Sequence, residues 1–204
     1  LPEGFTLIHG TEPGEAAMKA LIRDADFAIS GQVAVSGEVL RAATRLKLLH
    51  KWGVGVDNID IATARELGIR VARTTGSNAL PVAEFTIGLI FAALRFSAYG
   101  HARLKQGEWC GFSKLPGETF LLSGKTVGIV GFGAIGQNLA RLLRGFNCTL
   151  LYAKRTPLSP AEEAALGARH ASLDEILETA DVVSLHCPLT PETANMIDRQ
   201  ALAR

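Results

Sequence analysis

Gly131, Gly133 and Gly136 stand in G-x-G-x-x-G spacing within VGIVGFGAIGQNLARLL, after a short apolar run of strand type and before an amphipathic run of helical type. In that context each glycine has its own physical task. The first permits a tight turn, the second lets a pyrophosphate approach the backbone, and the third lets helix and strand pack closely. Amides at the helix start then face the phosphates. The spacing alone is weak and would also suit a ligand-free α/β turn; the strand-to-helix setting is what points to a dinucleotide.

About 20 residues past such a turn a carboxylate would ordinarily accept the adenosine ribose hydroxyls. Here LLYAKRTP offers Lys154 and Arg155 instead. Two cations at that place favour a 2'-phosphate, so the expected cofactor is NADP, with NAD as the alternative if the pair is only a solvated loop. A second informative stretch is HKWGVGVDNID, where Gly53-Val54-Gly55 follows a strand-like run. Successive amides in such a turn can cradle a carboxylate, although a plain strand-to-helix turn explains the glycines as well.

Other chemistry finds little support. Cys110, Cys148 and Cys187 are far apart and show no C-x-x-C spacing, so no metal site is expected and a reducing cytoplasm is the expected compartment. Lys plus Arg number 21 against 20 Asp plus Glu, a formal charge of +1 that gives no reason to expect nucleic acid or an anionic membrane surface as partner. Even FTIGLIFAALRF is shorter than the roughly 20 apolar residues of a membrane span.

The elements that must position these residues alternate in strand and helix character, the pattern of parallel α/β units. FTLIHG, FAIS, LKLLHKW and IRVART read as strands, with EAAMKALIRDA, GEVLRAAT and IATARELG as helices between them, the last capped by Asp60 and stopped by Gly68. A longer helix is predicted from Ala79 to Phe96, with Asn78 as cap and Pro81 in its first turn. Val82, Phe85, Ile87, Leu89, Ile90 and Leu94 make it apolar nearly all round, which suggests a helix between two bodies. A domain boundary is therefore expected near residue 97, giving 1–96 and 97–204. After the polar stretch from Ser97 to Gly124, strand KTVGIV, helix GQNLARLLRGF, strand TLLYA, helix LDEILETA and strand DVVSLHC follow. NMIDRQALAR, at the end, reads as a helix start capped by Asp198.

Four stretches, GVGVDNIDIATARELGIRV, SNALPVAEFTIGLIFAALR, LSGKTVGIVGFGAIGQNLARLLRGF and ADVVSLHCPLTPETANMID, resemble in order and spacing the D-isomer-specific 2-hydroxyacid dehydrogenases. The resemblance implies two doubly wound parallel-sheet domains, a flavodoxin-like substrate domain and a Rossmann cofactor domain, with the active site in the cleft between them. It implies that Val54 and Gly55 present amides to a substrate carboxylate and that Thr86 lies near the nicotinamide. Ala134 and Ile135 would join the glycines on the pyrophosphate, and Cys187, Pro188 and Thr193 would line the riboside path.

Asn78 and Glu84 are expected to do structural work, as are His186 and the remaining histidines His9, His50, His101 and His170, unless solvated. Trp52 would shape the substrate pocket or fill a core or interface. The family's substrate arginine, glutamate and acid/base histidine fall after the position of Arg204, so no catalytic residue is expected in this chain. Both domains are expected to be incomplete, the chain resembling about two-thirds of an enzyme trimmed at both ends.

The activity implied is hydride exchange between a nicotinamide and a small 2-oxo or 2-hydroxy acid. Glyoxylate or hydroxypyruvate reduction with NADPH is the first expectation and phosphoglycerate oxidation with NAD the second. No clear set of cations for a substrate phosphate is visible in the loops. A corepressor-like protein that senses dinucleotide without turnover is the alternative from another class. The segment from Ser97 to Gly124 resembles a dimerisation arm, which implies a homodimer.

Overall fold

The computed structural model describes residues 2–10, 12 and 14–204. The chain divides into two compact units between Ser77 and Asn78.

In the first unit, helices α1 (Glu15–Ile22), α2 (Gly37–Ala42) and α3 (Ile61–Glu66) alternate with strands β1 (Phe27–Ser30), β2 (Leu48–Lys51) and β3 (Arg70–Arg73). The strands form a parallel sheet in the order β1-β2-β3. Local chemistry sets the helix ends. The Ser36 side chain accepts the Val39 amide at the start of α2, and Asp60 accepts the Thr63 amide at the start of α3. Gly68, at φ +71, lets the chain turn out of α3 in a conformation other residues adopt at a cost. Val39, Leu40, Leu49 and Ala64 are buried in this unit's core.

FTLIHG is a correction to the sequence reading. Residues 5–10 pair with no strand among the described residues, and Phe5, Leu7 and Ile8 are exposed. The run has strand composition, but a strand exists only through a ladder with a neighbour. What the segment does make is an aromatic contact, Phe5 to Phe27, with ring centroids 6.3 Å apart.

The second unit opens with α4 (Ala79–Leu94) and α5 (Ser97–Lys105), then runs β4 (Thr126–Val130), α6 (Ala134–Leu143), β5 (Thr149–Ala153), α7 (Pro160–Leu166), β6 (Ala168–His170), α8 (Leu173–Thr179) and β7 (Val182–Leu185). Its four parallel strands lie in the order β6-β5-β4-β7. The chain thus steps outward from β4 through β5 to β6, then crosses back to place β7 on the other side of β4. That reversal makes a topological switch point at the ends of β4 and β7, where open α/β sheets bind ligands.

Helix α4 belongs by packing to this second unit, which is why the division falls at Ser77 rather than near residue 97. Ala83, Thr86 and Ile90 recur at helical spacing and are buried, and Ala83 and Ile90 share one apolar cluster with Leu139, Ala140 and Leu143 of α6. The opposite face, with Phe85 and Leu89, is exposed. Asn78 occupies the cap position of α4 without making a side-chain cap bond, so capping does not explain it.

Two helices escaped the sequence reading. Helix α5 lies in a stretch that looked polar and irregular. Helix α7 carried a legible signal, a capping box in which Ser159 and Glu162 bond each other's backbone amides, with Pro160 at the first position. Asp198 does cap, accepting the amides of Gln200 and Ala201, but the turn it starts is a short 3-10 segment over Ala201–Ala203. No single helix among the described residues is long and apolar enough to cross a membrane.

Candidate functional site

At the switch point the three glycines are held by three different constraints. Gly131 has φ +94, and a Cβ placed there would sit 2.3 Å from the Cys187 amide nitrogen and 2.4 Å from the His186 carbonyl carbon. The turn is therefore pressed against the peptide that leaves β7. A Cβ on Gly136 would lie 2.6 Å from the Gly131 oxygen and 3.1 Å from Ile129 Cγ2, so α6 packs onto β4 at backbone distance. Gly133 differs, because nothing lies within 4 Å of its Cβ position. It is the N-cap of α6 and supplies no side-chain acceptor, so no side-chain cap covers the first-turn amides at Ala134 and Ile135.

Lys154 and Arg155 leave the end of β5 and are exposed. Their loop is tied from below. The Tyr152 hydroxyl donates to Glu163 Oε1 at 2.7 Å and accepts from the Leu158 amide at 2.8 Å. The His170 amide donates to the same Glu163 oxygen at 3.1 Å, and His170 Nε2 lies 3.3 Å from the Lys154 carbonyl. Burial, reinforced by Glu163, pushes the Tyr152 phenol above its ordinary pKa. The Glu192 carboxyl is held below its ordinary value first by the Thr190 hydroxyl and its own amide, and also by the charge of Arg155.

Beyond β7, Cys187, Pro188 and Thr193 line an open hollow of about 300 Å³ together with Leu185, Leu189 and Met196. Thr193 Oγ1 donates to the Pro188 carbonyl at 2.6 Å and accepts the Thr190 amide at 2.8 Å, which fixes the loop. The Cys187 thiol faces Met196 Sδ at 3.6 Å. His186 is partly buried, with Nε2 2.9 Å from Ser184 Oγ, and burial holds its pKa below the ordinary value. Thr86, on the buried face of α4, donates its hydroxyl to the Val82 carbonyl at 2.7 Å, leaving only its lone pairs for any other partner.

Val54 and Gly55 lie in the first unit, in an exposed turn after β2. The Trp52 amide donates to the Ser30 carbonyl at 2.8 Å, and the Arg73 guanidinium donates to the Val54 carbonyl at 3.1 Å. Beneath the turn, buried Lys51 donates to Asn58 Oδ1 at 3.0 Å and to the Gly31 carbonyl. Lys51 and Arg73 were not singled out from the sequence; a cation next to the glycine turn was the only available signal. Trp52 is 75% exposed, which excludes a place in its own unit's core. Among the described residues no cluster of three or more His, Cys, Asp or Glu could hold a metal ion.

Residues 87–204 match the model of the D-isomer specific 2-hydroxyacid dehydrogenase NAD binding domain. The D-3-phosphoglycerate dehydrogenase of Mycobacterium tuberculosis is 38% identical over 193 residues, which are 94% of this chain and 36% of that protein. The hydroxypyruvate reductase of Thermotoga maritima is 36% identical over 170 residues, 83% of this chain and 53% of that protein. The chain thus spans between a third and about half the length of these relatives. Among solved structures, the NAD-dependent formate dehydrogenase of Staphylococcus aureus in complex with NAD aligns with a TM-score of 0.82 and 34% identity, covering 92% of this chain and 56% of that one.

Proposed function

The chain belongs to the D-isomer specific 2-hydroxyacid dehydrogenase family, and on that premise we propose that it is part of an oxidoreductase that exchanges a hydride between a nicotinamide dinucleotide and a small 2-oxo or 2-hydroxy acid. The observation that carries this reading is the open space over Gly133 at the start of α6, at the switch point between β4 and β7. The dinucleotide, when bound, supplies the hydride.

The protein's own residues then have distinct tasks. Gly131, Gly133, Ala134, Ile135 and Gly136 hold the pyrophosphate, while Thr86, Cys187, Pro188 and Thr193 line the path to the nicotinamide. Lys154 and Arg155 hold a 2'-phosphate and make NADP the preferred cofactor over NAD, because no carboxylate stands at the end of β5 to accept ribose hydroxyls. Val54 and Gly55 direct amides to the carboxylate of the acid. Residues 1–77 serve as part of a substrate domain and residues 78–204 as part of a cofactor domain. The group that protonates the alkoxide and the cation that polarises the carbonyl belong, in this proposal, to the remainder of the full-length protein.

A homodimer is proposed, with the exposed apolar side chains Phe85, Leu89, Leu104, Trp109 and Leu121 as part of the surface it would cover. The three free cysteines support a reducing cytoplasm as its place. The test is steady-state turnover by the full-length protein with glyoxylate and hydroxypyruvate, using NADPH and NADH. Reduction that is faster with NADPH is the expected result. Tight dinucleotide binding without turnover of any 2-oxo acid would replace the dehydrogenase with a dinucleotide-sensing binding protein.

A further inference from the structure

The loop between β5 and α7 carries Lys154 and Arg155, and its shape is not set by its own backbone. Among the described residues, no hydrogen bond between backbone groups ties residues 154–158 to the rest of the fold. Side chains hold the loop instead. The Tyr152 hydroxyl accepts the Leu158 amide at 2.8 Å at one end, and His170 Nε2 lies 3.3 Å from the Lys154 carbonyl at the other. A carbonyl only accepts, so that ring nitrogen carries a proton and donates it to the bond.

Both anchors converge on one atom. Glu163 Oε1 accepts the Tyr152 hydroxyl at 2.7 Å and the His170 amide at 3.1 Å. Tyr152 is fully buried and has a single hydroxyl proton to give. By taking that proton, Glu163 leaves the hydroxyl's lone pairs for the Leu158 amide. The same oxygen fixes the β6 backbone at His170, whose ring meets the Tyr152 ring edge-on with centroids 5.3 Å apart. Glu163 itself bonds no residue of the loop among those described, so its influence passes through the two rings. Neighbouring Glu162 has a different task, with Oε2 on the Ser159 amide and hydroxyl at the start of α7.

We propose that Glu163 is a positioning residue for cofactor choice, holding the loop ready so that Lys154 and Arg155 meet a 2'-phosphate without first ordering their backbone. This rests on the reading of that cation pair given above. Glu163 acts through the loop and not by contact, since a carboxylate repels a phosphate. A loop that must be ordered on binding weakens affinity. Only NADPH brings the group this loop receives, so the loss falls on NADPH and largely spares NADH.

Fluorescence titration of the full-length protein with NADPH and NADH tests it without turnover. Glu163→Ala should lower the preference for NADPH over NADH in Kd about tenfold. Glu163→Gln keeps an acceptor oxygen in the same place and should restore most of that preference, which a general loss of stability would not do. His170→Phe keeps a ring against Tyr152 but loses the bond to Lys154, so its preference should fall between the two, and it carries the test if Glu163→Ala does not fold. An unchanged preference in Glu163→Ala or in His170→Phe, or equal losses in the glutamine and alanine variants, would overturn the inference and leave the reading of Lys154 and Arg155 standing. A wild-type protein with no preference for NADPH would instead sink that reading. Trypsin, which cuts after Lys154 and Arg155, then decides whether Glu163 holds the loop. Cleavage there about tenfold faster in Glu163→Ala alone, with other sites unchanged, supports the hold; equal cleavage in wild type and both Glu163 variants ends it.

Discussion

The ring of Phe132, inside the glycine turn, stacks on the ring of Tyr152 with centroids 4.2 Å apart and planes at 20°. Through that contact the turn after β4 and the loop after β5 share one support, because the same tyrosine's hydroxyl bonds Glu163 and the Leu158 amide. Tyr152→Phe keeps the stacked ring and removes only the hydroxyl. It leaves a backbone amide and a carboxylate short of a partner, so it should cost about 1–3 kcal/mol of stability. It should also loosen the loop of Lys154 and Arg155. Thermal denaturation with an NADPH titration checks both effects, and an unchanged melting temperature would show that the network carries no weight.

Gly133 and Gly131 should behave oppositely. Gly133→Val adds a side chain whose Cβ meets nothing within 4 Å, so the fold should survive while dinucleotide binding is blocked. Gly131→Ala forces a Cβ to 2.3 Å from the Cys187 amide at a positive φ, and the protein should lose more than about 2 kcal/mol even without ligand. Melting curves and cofactor fluorescence on the two variants separate these outcomes. Normal dinucleotide affinity in Gly133→Val would remove the pyrophosphate assignment.

Replacing Lys154 and Arg155 together by alanine should weaken NADPH at least tenfold more than NADH, since only the former brings a 2'-phosphate to that loop. Both side chains are exposed, so stability should hardly move. Equal losses for the two cofactors would assign the pair to solvent.

His186 predicts a pH dependence. Burial lowers its pKa below the ordinary 6.5, so as pH falls through that value the unfolded chain takes up a proton before the folded protein does. Stability is therefore full above 6.5 and declines below it, down through the lowered folded-state pKa. Because Gly131 rests on the peptide following His186, dinucleotide affinity should decline in the same window. His186→Asn should flatten both profiles between neutral pH and pH 5; a slope unchanged from wild type would assign it to other groups.

What the sequence determined by itself was local. Six of the seven strands among the described residues and helices such as α3, α6 and α8 follow from short-range apolar periodicity, the cap at Asp60, and the glycine spacing of the turn after β4. The same local logic put a strand at FTLIHG, where composition was right but no ladder formed, and passed over the three-residue β6, too short to show a period. Tertiary structure alone decided everything that depends on which surfaces meet. It assigned α4 to the second unit, because Ala83 and Ile90 pack with α6 although the helix is apolar on nearly every side. It set β7 beside β4, making the switch point from residues more than fifty positions apart. And it drew Ser30, Lys51 and Arg73 into one row, since register between parallel strands is fixed by the packing of the crossover helices and leaves no trace in any single stretch of chain.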